Sequence, residues 1–217
     1  MSTTALVFYG QVRDVEHTYP YWNKNVIKPL GIDDIFIHTY NDQTEKMAMF
    51  TSLFSPKGIF LSNPDDVKNR EQWIPVVSRK RYCVQNTFNV QSMYFSMYTA
   101  MESIRKLGFS RVILSRTDNV FLTEITDIET NDGEILSSNF MYDPLFDGFS
   151  SICDFFSIGK LDDVVKFASV GLNYKRIYEE GVTFHAETLL SENAKRVGIK
   201  AIPKFTFRAH HALYKQL

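Results

Sequence analysis

Short runs of apolar, β-branched and aromatic residues recur along the chain, at residues 5–9, 34–40, 58–61, 111–115, 134–138, 152–158 and 199–203. Runs of this length and composition predict strands. Several are apolar at consecutive positions rather than at alternate ones, which predicts strands covered on both faces. Between them the apolar residues take helical spacing. The clearest case is 85–107, where Tyr94, Met97, Tyr98, Met101 and Ile104 recur at steps of three and four and Gly108 supplies a stop. Sparser patterns predict helices over 161–170, before Gly171, and over 185–197, before Gly198. A first helix is expected over 15–27, interrupted by Pro20.

Strands that alternate with helices imply βαβ units. The expected fold is therefore α/β, with a Rossmann-like, mostly parallel central sheet flanked by helices. With no linker, repeat or low-complexity tract, the whole of 1–217 reads as one domain. In such sheets ligands bind beyond the carboxyl ends of the strands, so the polar residues that follow strands carry the chemistry. After the first strand stand Gly10, Gln11, Val12 and Arg13: a glycine permits close backbone approach, and an arginine reaches a base, ribose or phosphate. His38, inside the second apolar run and near the sheet's working edge, reads as a satisfied core histidine ahead of a catalytic one. The fourth run continues RVILSRTDNVF and delivers Arg116, Thr117 and Asp118 to its end. An acid held there by a rigid strand can bind a metal carrying a diphosphate, and it can equally cap a turn beside a surface arginine. Composition leaves both open.

Composition narrows the partners. The chain has 217 residues, of which 44% are hydrophobic and 14% aromatic, enough for a sizeable core. Lys and Arg number 24 against 25 Asp and Glu, so no basic excess is available for a nucleic acid backbone. No apolar run approaches the roughly 20 residues that span a bilayer, and no signal-peptide pattern follows Met1, which makes the cytoplasm the expected compartment. Cys83 and Cys153 lack a metal-binding or disulfide spacing and read as buried thiols. Walker A, GxGxxG and GxSxG patterns are all absent.

Taken together, YGQVR after strand one, DIFIHTY, the helix holding Gln91, SRTDNVF, CDFFSIG and HAETLL resemble the GT-A superfamily of nucleotide-sugar glycosyltransferases. The likeness is to small enzymes that build surface polysaccharides in bacteria and glycans in large DNA viruses. It implies a single-domain GT-A-like fold and transfer of a sugar from a nucleoside diphosphate donor to a glycan or lipid-linked acceptor. It also implies a divalent cation, Mn²⁺ or Mg²⁺, held by an Asp-x-Asp pattern. Here Arg116 stands at the first position and only Asp118 matches; a forked guanidinium there can itself neutralise a diphosphate. Some relatives take a further metal ligand from a histidine near the C-terminus, which points to His210.

Nucleotide recognition then falls to Gly10, Arg13 and Gln91, the last expected on the helix face opposite the Tyr94–Met97–Met101 stripe. An inverting transfer needs a carboxylate to deprotonate the acceptor. Glu187, near a helix start that favours negative charge, is one candidate. Asp154, a carboxylate within an otherwise apolar strand, is the other. The adjacent Asp162 and Asp163 read as a helix-starting cap. Two alternatives stand beside the transferase: a nucleotidyltransferase, for which the loop after strand one is poor in glycine, and a non-catalytic nucleotide- or glycan-binding module, which the missing first acid favours.

Overall fold

The computed structural model describes residues 3–75, 87–138, 152, 154–205 and 207–209. Cys83, Cys153 and His210 lie outside them. The strands are β1 (Thr4–Tyr9), β2 (Asp34–Tyr40), β3 (Gly58–Ser62), β4 (Arg111–Ser115), β5 (Asn119–Phe121), β6 (Glu134–Ser138), β7 (Phe156–Lys160), β8 (Lys200–Phe205) and β9 (Phe207–Ala209). The helices are α1 (Val15–Trp22), α2 (Lys28–Leu30), α3 (Thr44–Phe54), α4 (Thr87–Ile104), α5 (Leu161–Ala168), α6 (Val170–Glu179) and α7 (Ala186–Arg196).

Seven strands form one sheet in the order β3-β2-β1-β4-β7-β6-β8, and β5 with β9 forms a small second sheet. Only β7 runs against the others of the main sheet, pairing antiparallel with β4 and β6. The fold is thus α/β with a mostly parallel central sheet flanked by helices. After β1 the chain winds outward through β2 to β3, then returns to place β4 on the opposite side of β1. The carboxyl ends of β1 and β4 therefore flank the point where the winding reverses.

Alternation along β1 divides the core in two. Ala5, Val7 and Tyr9 face a layer built by Val90, Tyr94, Met97 and Met101 of α4 together with Val164 and Phe167 of α5, Tyr174 and Ile177 of α6, and Leu189 and Leu190 of α7. Leu6 and Phe8 face Val15, Trp22, Val26, Phe50 and Phe54. In this second layer Phe8 meets Trp22, Phe50 and Phe54 edge-on, with centroids 4.9, 5.4 and 5.0 Å away. Burying each such side chain stabilises by about 1.5–3 kcal/mol, and the edge-on geometry adds to this. The helical stripe of α4 is core, as its spacing predicts.

Several boundaries differ from expectation for physical reasons. The helix runs through Pro20 and then loosens into a π turn, Asn23–Ile27. Proline lacks a donor, and the π turn turns a main-chain carbonyl outward. The carbonyl of Asn25 accepts from the Ile125 amide at 2.7 Å, and its side-chain amide donates to the Phe121 carbonyl at 2.5 Å. β7 begins at Phe156, so Asp154 lies in the turn before the strand, not within it. The helix expected over 161–170 ends at Ala168, and α6, which the pattern does not announce, restarts at Val170. Neither Asp162 nor Asp163 caps α5, whose N-cap is Lys160 with no side-chain cap bond; Asp163 instead accepts from the Gly133 amide at 3.1 Å and sits 3.6 Å from Lys166.

Candidate functional site

Two loops meet where the winding reverses. The one after β1 carries two residues with left-handed backbone, Gly10 (φ +86°) and Asp14 (φ 50°). Glycine adopts that conformation freely and aspartate tolerates it, so the segment bends sharply around the end of β1. Its position is fixed from both sides. The Gly10 amide donates to the His38 carbonyl at 3.1 Å and to Ser96 Oγ at 2.7 Å, and the Arg13 amide donates to Thr117 Oγ1 at 2.9 Å. Thr117 belongs to the loop after β4, so the two loops are tied directly.

His38 supports this arrangement from below. Its ring nitrogens lie 2.6 Å from Ser96 Oγ and 2.9 Å from Ser62 Oγ, as expected for a satisfied core histidine. Burial, with the charge of Arg70, lowers its pKa to about 4, which keeps the ring neutral at pH 7.

Beyond these strand ends lies a cavity of about 270 Å³, lined among others by Tyr9, Gly10, Gln11, Arg13, Tyr40, Asp42, Phe88, Asn89, Arg116, Asp154 and Ala186. Residues expected from three separate stretches of sequence, Gly10 and Arg13, Arg116, and Asp154, therefore come together. A larger depression of about 650 Å³ is lined by residues of α1, its π turn and α2, with Glu124, and holds none of the strand-end residues. It is the shallower of the two, and we take the strand-end cavity as the site because polar groups converge there.

Arg116 is the most constrained group in the cavity wall. Its Nε donates to Asp118 Oδ1 at 3.0 Å and its Nη2 to Oδ2 at 2.6 Å, a forked pair. The guanidinium lies 4.3 Å over the Phe155 ring, and the Arg116 amide donates to the Phe155 carbonyl at 3.1 Å. Burial opposes its charge, but the neighbouring carboxylates of Asp118 and Asp154 outweigh this and raise its pKa, so it stays charged. Asp118 itself is 2% exposed and stands behind Arg116, not in the cavity wall; Arg13 Nη1 lies 3.9 Å from it.

Asp154 is the second unusual group. Its main-chain carbonyl accepts from the Tyr9 hydroxyl, which anchors the turn to the end of β1. Its Oδ1 is buried with no hydrogen-bond partner among the described residues. Burial first and the charge of Glu187 second push its pKa up to about 7, against the pull of Arg116. Glu187 lies in the first turn of α7, beside Ala186 of the cavity wall, and its Oε2 is 3.0 Å from His185 Nε2. His185 is held in turn by Thr188, 3.0 Å from its Nδ1. The two carboxylates proposed for proton transfer are thus close enough to act on one another.

Gln91 does not reach the cavity. It is fully buried, its Oε1 accepting from the Ile74 amide at 2.8 Å and the Tyr174 hydroxyl at 3.0 Å, its Nε2 donating to the Ile74 carbonyl at 3.1 Å. Residues three apart on a helix share a face, so Gln91 lies beside Tyr94 rather than opposite it. Its neighbours Asn89 and Val90 line the cavity instead. Tyr40, the last residue of β2, and Asp42, which follows it, are also not singled out from sequence, and the same strand-end rule would have found them.

A divalent cation does not fit these residues. Both oxygens of Asp118 are engaged by Arg116, and two guanidinium groups stand where a cation would have to approach. No three His, Cys, Asp or Glu side chains converge as a metal site among the described residues. No described helix is long and apolar enough to cross a membrane. In comparisons with known proteins, the chain matches no family model and no curated protein sequence.

Proposed function

We propose that this protein is a glycosyltransferase that moves a sugar from a nucleoside diphosphate donor to a glycan or lipid-linked acceptor. The observation that carries this reading is the convergence, in one strand-end cavity, of two arginines with a buried carboxyl whose Oδ1 has no hydrogen-bond partner among the described residues and whose pKa burial raises. Transfer breaks the bond between the sugar's anomeric carbon and the diphosphate oxygen, which departs with the electron pair. Fixed cations opposite that oxygen stabilise the developing charge, and Arg116 and Arg13 supply them. The acceptor hydroxyl gives its proton to a carboxylate as its oxygen bonds to the anomeric carbon. A base titrating near the working pH suits that step, and Asp154 has this property, with Glu187 as the group that tunes it.

The reading is tested by incubating the full chain with UDP-, GDP- and TDP-sugars and measuring released nucleoside diphosphate, since slow transfer to water suffices for detection. Release from one donor class, lost in Asp154→Asn, is expected. A nucleotide that binds without any release would favour the non-catalytic module, and absence of both binding and release would overturn the proposal.

A further inference from the structure

We infer that the diphosphate is held by the guanidinium groups of Arg116 and Arg13 without a divalent cation. This rests on reading the cavity as a nucleoside diphosphate site. Arginine offers five N–H donors in a planar fork. Arg116 turns Nε and one Nη2 hydrogen toward Asp118, at 3.0 and 2.6 Å, which leaves both Nη1 hydrogens and the second Nη2 hydrogen without a hydrogen-bond partner among the described residues. These form a second fork of the kind that takes two phosphate oxygens side by side.

Asp118 therefore does a different task from that of a metal ligand. Buried behind Arg116, it fixes the plane of the guanidinium, while the Phe155 ring 4.3 Å away packs against the face of that plane. Arg13 adds a second charge from the loop after β1, with Nη1 3.9 Å from the same Asp118 oxygen. Its side chain is 44% exposed, at the mouth side of the cluster, where it can follow a ligand in. Within this cluster two guanidiniums face the single carboxylate of Asp118, a local excess of positive charge that suits a diphosphate and repels Mn²⁺ or Mg²⁺, while Asp42 and Asp154 line other parts of the same cavity.

The test is calorimetric titration of the full chain with UDP, GDP and TDP, first in chelator and then with Mn²⁺ or Mg²⁺. The diphosphate that binds is expected to do so in chelator with an affinity within about threefold of that with metal. Arg116→Lys, which keeps the charge but not the fork, and Arg13→Ala are each expected to weaken it about tenfold in chelator. The matching nucleoside, which has no phosphate, should bind both variants as it binds the parent. Should Arg116→Lys fail to fold, Arg13→Ala at its exposed position carries the same test. Binding that appears only with metal, or variants with unchanged diphosphate affinity, would overturn the inference and leave the transferase reading standing. No diphosphate bound under either condition would overturn both.

Discussion

Thr117 Oγ1 accepts the main-chain amide of Arg13 at 2.9 Å, and this bond joins the loop after β4 to the loop after β1 across the reversal of the sheet. The same hydroxyl can donate back to the Arg13 carbonyl at 3.1 Å. Arg13 is thereby positioned through its backbone, while its half-exposed side chain donates to Gln11 Oε1 at 2.8 Å and lies 3.9 Å from Asp118. Thr117→Val keeps the shape and deletes the acceptor, leaving the Arg13 amide without its partner. A loss of about 1–3 kcal/mol in denaturant unfolding is expected, with nucleotide affinity falling as well. Thr117→Ser restores both; if Val and Ser behave alike, the hydroxyl does not tie the loops.

Asp154 gives the protein a distinctive pH dependence. Its folded pKa, about 7, lies above the ordinary 3.8, so the folded state holds a proton that the unfolded chain releases earlier. Its contribution to stability is therefore fully present below about pH 4 and is lost as pH rises to about 7. His38 works in the opposite sense over the same window, losing stability as pH falls from 6.5 to about 4. Comparing wild type with Asp154→Asn isolates the first term: the variant should gain relative stability as pH rises from 4 to 7. Any residual turnover should lack the rising limb near neutrality that a base of this pKa produces. A constant stability difference across that range would remove Asp154 as the titrating group.

The parts of this fold that could be read directly are those whose packing is uniform. β1, β2 and β4 are covered on both faces, so their apolar residues run consecutively, as in Ala5–Tyr9, Ile35–Ile37 and Val112–Leu114, and the strands declare themselves. α3 buries only Phe50 and Phe54, too few to establish a period, and β5 is three residues long. The direction of β7 is likewise unwritten, because a buried strand has the same composition whichever way it runs. At the site, the strand-end rule located Gly10, Arg13 and Arg116 because βα loops inherit their positions from the sheet. What it could not supply was pairing: that Arg116 occupies both oxygens of Asp118 depends on side-chain geometry, not on spacing.

Gln91 separates packing from binding. Its amide closes a two-way bond with the main chain of Ile74, and its Oε1 also accepts from Tyr174. Gln91→Ala strands a buried amide, a carbonyl and a hydroxyl together, for an expected loss of about 2–4 kcal/mol in stability. Below the melting transition, affinity for a nucleoside diphosphate should be unchanged. A variant of normal stability with weakened nucleotide binding would return Gln91 to the site.

Arg116→Asp probes what Asp118 is for. The substitution removes the forked partner and sets two carboxylates two residues apart in a buried turn, next to Asp154. Breaking a buried pair costs about 3–5 kcal/mol, and the like charges add to that. The melting temperature without metal should therefore drop by on the order of 10 °C. The same change creates an Asp-x-Asp arrangement with oxygens no longer engaged by Arg116, so Mn²⁺ should now raise the melting temperature in proportion to its occupancy. Wild type, where Arg116 holds those oxygens, should show no such response. A wild-type protein stabilised by Mn²⁺ as strongly as the variant would mean that the ion displaces Arg116, and that the forked pair is no barrier to metal at this site.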